Sequence, residues 1–277
     1  KILDISTIEK YDIEKMYKVY DKWPQIAKKS FELEQDSINF EDVNHIVFAG
    51  MGGSGAIGDV FSSILSKSKI HITVVKGYIL PKTVDVSTLV IITSVSGNTV
   101  ETISILEAAH KIGSKIITFS SGGKMQNFCI KNNITFRFIE KIHSPRASFV
   151  NYFYSMLNIL HSTFKIKHED ILESISELEK LSSKINSLNL TKNNSSLNLA
   201  NKISGIPLII YPDGLKSVAV RFKNSLQENG KTHVITEEIL ETCHNGIVSW
   251  EQKSIVQPII LQGKDDNIHT KERWKII

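Results

Sequence analysis

GMGGSGAIGDV, residues 50–60, follows directly on the apolar stretch HIVFA at 45–49 and contains Gly50-x-Gly52-x-x-Gly55. A short apolar run feeding a glycine turn and then a helical pattern reads as buried strand, tight turn and helix start. A dinucleotide site needs an acidic residue about 20 positions on, at the end of the second strand, to hold the ribose hydroxyls. Here the run at 70–75 ends in Lys76 and Gly77. A nucleotide P-loop needs Gly-Lys-Ser/Thr after the glycines, and that is missing too. What remains is a helix start with free amides, a positive dipole end and Ser54 in the turn, which suits a phosphate monoester.

Outward from this turn, β-branched runs at 45–49, 70–75, 89–93, 115–119 and 134–138 are too short and too continuously apolar for exposed helices. Helical patterns lie between them. In the clearest, 99–112, Val100, Ile103, Leu106 and Ile112 share a face and Gly113 supplies the stop. This βαβα order predicts an α/β fold, an open parallel sheet with ligands bound beyond the carboxyl ends of its strands. After Pro145 a helix over 147–163 reads as a linker, and 182–196, rich in Ser, Asn and Lys, as a solvated connection. The opening pattern then returns: a strand at 207–211, a turn at Pro212-Asp213-Gly214, a helix at 216–229, and strands at 232–236 and 256–261. Two related units follow, residues 1–150 with an amphipathic N-terminal helix over 1–23, and residues 151–277 with the linker helix.

Composition narrows the function. Thirty-three Lys and Arg against 29 Asp and Glu leave a net charge of +4, scattered along the chain, which argues against a nucleic-acid partner. Cys129 and Cys243 lack metal-ligand spacing, so neither a disulfide framework nor a zinc site is expected. No apolar run approaches the ~18 residues of a membrane span and the start is unlike a signal peptide, so a cytoplasmic protein is expected.

The third strand runs into Ser94-Val95-Ser96-Gly97-Asn98-Thr99, three hydroxyls around a flexible glycine at a helix start. Thr99 or Asn98 as an N-cap accounts for one polar group, and a hydroxyl-and-amide nest for phosphate accounts for all the hydroxyls. The fourth strand also ends in a polar glycine turn, Ser120-Ser121-Gly122-Gly123.

GMGGSGAIGDV, SVSGNTVETI and SSGGKM resemble the first sugar-isomerase (SIS) domain of the archaeal-type bifunctional phosphoglucose/phosphomannose isomerases. SPRAS, RFKNSLQENGK and CHNGIVSW follow in that family's order. The resemblance implies two SIS-type domains, each a mainly parallel sheet flanked by helices. It implies a homodimer and metal-independent, cofactor-free interconversion of glucose 6-phosphate or mannose 6-phosphate with fructose 6-phosphate. Isomerisation through an enediolate requires ring opening, a proton shuttle and positive charge at the developing oxyanion. By resemblance Glu228 matches the base, His244, contributed across the interface, the ring-opening group, and Arg146 the cation near C1 and C2. Gly52, Gly53, Ser54, Ser94, Ser96 and Thr99 match the phosphate-binding set. Gly246 stands where the family commonly has Glu, and Gly230 where Ala is common. The family's C-terminal lysine and threonine would lie beyond Ile277, and Lys271, Lys275 and Thr270 do not match them. A non-catalytic sugar-phosphate sensor, or an isomerase of another sugar phosphate, is the alternative.

Overall fold

In the computed structural model, which describes residues 3–277, the chain opens on three short helices, α1 (Ile5–Tyr11), α2 (Tyr17–Asp21) and α3 (Trp23–Glu32). They replace the single helix expected over 1–23, of which Lys1 and Ile2 lie outside the described residues. The break has local causes. Asp12 closes α1 and its carboxylate accepts from the Tyr17 amide at 2.7 Å, while Lys15 between them takes φ 56°. Pro24 then opens α3, where its fixed φ fits the first turn.

The next elements are β1 (His45–Ala49), α4 (Gly52–Ile64), β2 (His71–Val75), β3 (Leu89–Ser94), α5 (Val100–Ile112), β4 (Lys115–Ser120), α6 (Gly123–Lys131), β5 (Thr135–Phe138), α7 (Phe149–Phe164) and α8 (His168–Ile185). The strands form one sheet in the order β2-β1-β3-β4-β5, every pair parallel. From β1 the chain goes outward to β2, then crosses back over β1 to β3 and continues the other way. The β1/β3 pair is therefore the topological switch point, and the turns after these two strands flank the crevice where open α/β sheets bind ligands.

Both faces of this sheet are covered, which is why its central strands are continuously apolar. Val47, Ala49, Val90 and Ile92 pack with Ile105, Leu106 and Ala109 of α5 and Met125 and Cys129 of α6. On the other face Phe48 meets Phe164 of α7 with ring centroids 6.0 Å apart. A Cβ on Gly58 of α4 would come 2.8 Å from Phe48 Cβ, so that glycine sets the helix-to-strand approach. The helix read as a linker, α7, packs against α3 within this unit, where Ser30 Oγ donates to Asn151 Oδ1 at 2.8 Å.

The chain divides into two compact units, one comprising residues up to Gly58 with Lys67–Asn198, the other Asp59–Ser66 with Leu199–Ile277. The chain passes into the second through α9 (Ser195–Lys202) and continues as β6 (Ile206–Tyr211), α10 (Lys216–Gly230), β7 (Ile235–Glu238), α11 (Ile239–His244), β8 (Val256–Ile260) and α12 (Ile268–Trp274). Its sheet, β7-β6-β8, is again wholly parallel. Ile209, Tyr211 and Val234 pack with Ala219 of α10 on one face, and Leu208 and Ile210 with Ile239 of α11 on the other. The strand expected at 232–236 begins instead at Ile235, in register with Leu208, because residues 231–234 turn the chain back from α10. Among the described residues no helix is long and apolar enough to cross a membrane.

Candidate active site

The turn after β1 is built from backbone that tolerates no side chains. Gly52 begins α4 with φ 53°, and a Cβ on Gly55 would lie 2.7 Å from the Gly50 carbonyl oxygen. Ser54, buried in the first turn, and the first-turn amides of α4 point to the carboxyl end of the sheet.

Beside it, the turn after β3 carries the hydroxyls. Thr99 occupies the N-cap position of α5 but directs its hydroxyl away from the helix: Oγ1 lies 3.0 Å from Ser94 Oγ. The expected capping role therefore does not describe Thr99, and the first-turn amides of α5 are left for partners outside the helix. Ser94 is buried, and its Oγ also accepts from the Gly97 amide at 3.1 Å. Ser96 Oγ accepts from the Asn98 amide at 3.3 Å.

The third glycine turn braces the second. A Cβ on Gly97, whose φ is 66°, would fall 1.8 Å from the Gly122 carbonyl oxygen, and one on Gly123 would lie 2.7 Å from the Ser96 carbonyl oxygen. Asn98 closes the pair: its Oδ1 accepts from the Lys124 amide at 3.0 Å and its Nδ2 donates to the Ser96 carbonyl at 3.1 Å. Sequence reading treated Asn98 only as a capping candidate. Its role as a latch depends on pairing β3 with β4, which local sequence does not display.

Arg146 reaches this cluster through a loop between β5 and α7. Its Cα lies 3.7 Å, and the Pro145 carbonyl oxygen 3.3 Å, from where a Cβ on Gly53 would stand. The first unit thus brings Gly52, Gly53, Ser54, Ser94, Ser96, Thr99 and Arg146 to the carboxyl end of one sheet.

Glu228 and His244 lie in the second unit on different helices. Glu228, half-buried, is in the last turn of α10, and its carbonyl accepts from Lys231 Nζ at 2.7 Å. The left-handed residue closing α10 is Lys231, φ 52°, and not the expected Gly230, which remains helical. His244, exposed, ends α11. That helix is capped by Glu238, whose Oε2 accepts from the Leu240 and Glu241 amides at 2.7 and 3.2 Å. A Cβ on Gly246 would come 3.0 Å from Glu237 Oε2, so a glutamate there would press one carboxylate on another. Among the described residues no three His, Cys, Asp or Glu side chains cluster as a metal site.

Comparison with known proteins follows the same division. Residues 39–165 match the SIS domain, and residues 192–277 match the bacterial phospho-glucose isomerase C-terminal SIS domain. A bifunctional phosphoglucose/phosphomannose isomerase of Caldicellulosiruptor bescii is 31% identical over 238 residues, 82% of this chain and 70% of that protein. The chain belongs to the bifunctional phosphoglucose/phosphomannose isomerase family. A second relative, named D-glucosamine-6-phosphate 4-epimerase, from Sulfolobus acidocaldarius, is 26% identical over 253 residues, 89% of this chain and 77% of that protein. Among solved structures, the C-terminal domain of glucosamine-fructose-6-phosphate aminotransferase from Francisella tularensis shares the fold, with a TM-score of 0.66 at 16% identity over 94% of this chain and 79% of that one. Within this phosphoglucose/phosphomannose isomerase, the SIS match takes in every phosphate-turn residue and Arg146, and the C-terminal match takes in Glu228 and His244.

Proposed function

We propose that the chain interconverts glucose 6-phosphate, and mannose 6-phosphate, with fructose 6-phosphate by moving a proton between C1 and C2 through an enediolate, with no metal or cofactor. The observation that carries this reading is the pair of helix-start turns flanking the switch point. One supplies glycine amides and Ser54, and the other supplies Ser94, Ser96 and Thr99 with an uncapped first turn of α5. Amide dipoles and hydroxyls converging from two helix starts fit a dianionic phosphate. Anchored there, the sugar extends toward Arg146, where a guanidinium stabilises the oxyanion that forms as the proton leaves. Glu228 is the base that carries the proton from one carbon to the other, and His244 opens the ring, a step suited to an imidazole because it titrates near neutrality.

His244 acts in the partner subunit's site of a homodimer working in the cytoplasm. The exposed Ile247, Val248 and Trp250 that follow it support this, since an apolar strip beside a reactive group is a natural surface to bury.

The epimerase relative favours a second reading, in which the same anchor serves another phosphorylated sugar. Turnover measured across fructose, glucose, mannose and glucosamine 6-phosphates decides between them. Aldose production from fructose 6-phosphate, undiminished by EDTA, is the expected result. Saturable binding without turnover of any sugar would make the protein a sensor, and loss on chelation with rescue by a divalent ion would overturn the metal-free route.

A further inference from the structure

The loop bearing Arg146 is held from its far side by the N-terminal helices. Trp23 Nε1, at the start of α3, donates to the Ala147 carbonyl at 3.0 Å, one residue beyond the arginine. Trp23 is itself seated edge-on against Tyr20, with centroids 4.7 Å apart, and lies 6.5 Å from Phe149. Upstream, His143, in the left-handed region at φ 60°, places Nε2 3.1 Å from the Glu14 carbonyl oxygen. Ser144 Oγ lies 3.5 Å from Sδ of buried Met16. Within the loop Ser148 Oγ accepts from the Ile142 amide at 2.9 Å. The five residues 143–147 therefore sit between the glycine turn at Gly53 and three contacts from residues 14–23.

We propose that Trp23 is a positioning residue for the reaction: through the Ala147 carbonyl it fixes the backbone from which Arg146 projects. Two features set this apart from general scaffolding. The contact is a directed hydrogen bond to a main-chain oxygen adjacent to the arginine, and the opposite wall of the loop is glycine backbone that cannot take up a displacement by moving a side chain. A shift of about 1 Å in a group that must meet a developing charge costs as much as a hundredfold in rate while leaving ground-state binding largely intact.

The inference rests on the role proposed for Arg146, and its test separates the two. Trp23→Phe keeps an aromatic ring against Tyr20 and Phe149 and removes the donor; Tyr20→Leu thins the same aromatic packing and leaves the donor in place. With fructose 6-phosphate, Trp23→Phe is expected to lower kcat about tenfold with KM within about twofold, and Tyr20→Leu to leave kcat within about twofold of the parent. A Trp23→Phe protein with parental kcat, or equal losses in both variants, overturns the proposal. Should Trp23→Phe fail to fold, His143→Ala, which removes the contact to Glu14, is read against the same thresholds. Absence of turnover in the parent protein would refute the proposed reaction alone. The positioning claim is then decided by phenylglyoxal labelling of Arg146, followed by peptide mass: several-fold faster labelling in Trp23→Phe supports it, and equal rates overturn it.

Discussion

Replacing Glu228 by Gln preserves side-chain size and the contact of its carbonyl with Lys231 while removing the group that carries the proton. Steady-state kinetics should show kcat down at least about a hundredfold with KM nearly unchanged, the pattern of a group acting mainly in the transition state. Parallel loss of both would assign Glu228 a structural role. Gly97→Ala tests the anchor. A methyl at φ 66°, 1.8 Å from the Gly122 oxygen, forces two turns apart, so thermal unfolding should show a loss of at least about 2 kcal/mol. Unchanged stability would mean that the turns are not locked together. At this scale the hydroxyls of Ser94, Ser96 and Thr99 were legible because three of them crowd one glycine in seven letters of sequence. Gly122 and Asn98 were not, since what they do depends on a neighbouring strand 20 residues or more away in sequence.

Among the elements, α5 offers a test of whether its start is a capped helix or a ligand site. If Thr99 were a conventional cap, Thr99→Ala would cost about 1 kcal/mol of stability. Its hydroxyl faces Ser94 instead, so the expected loss is smaller, while the affinity for inorganic phosphate falls about tenfold. Calorimetry of folding and of phosphate binding on the same protein checks both, and the reverse pattern would remove Thr99 from the anchor. The five strands of the first sheet were readable because parallel strands buried on both faces become short continuous apolar runs. Their helices were less so. The first 23 residues carry a helical period, yet the side chain of Asp12 competes for the Tyr17 amide and breaks it. The helix α8, with only Ile171 and Ile175 buried, shows little apolar stripe, and its end fell within a segment read as connection.

For the whole molecule, pH and assembly are the measurable handles. His45, half-buried at the start of β1, holds its protonation below the usual 6.5, chiefly through burial and then through the neighbouring His71, with Asp85 and a backbone contact to Thr83 opposing them. Its ring nitrogens lie 3.1 Å from Thr73 Oγ1 and 3.4 Å from Thr88 Oγ1. Below about pH 6.5 the unfolded chain binds the proton more readily than the folded one, so this contribution is complete above that pH and lost as pH falls. The melting temperature should drop between about pH 7.5 and about pH 5.5, and His45→Gln should flatten the drop. An identical slope in the variant would clear His45 of the effect. The proposed exchange of His244 between subunits has its own signature. Glu228→Gln and His244→Ala proteins, each inactive, should regain about a quarter of parental activity after unfolding and refolding together, because half the dimers are mixed and each mixed dimer restores one of two sites. No recovery would place both residues in one subunit's site. The repeat of strand, glycine turn and helix was visible in the sequence, whereas the grouping of α7 and α8 with the first unit was not, because an apolar helix face does not announce which sheet it will cover.

The floor of the anchor is main chain: Gly97 against Gly122, Gly123 against Ser96, Gly50 against Gly55. Such a surface has no side chains to exchange, so substitution cannot retune it without dismantling it. Redesign toward a different phosphorylated substrate therefore has its freedom at the rim, around Arg146 and the segments bearing Glu228 and His244, while the grip on the ester is inherited unchanged.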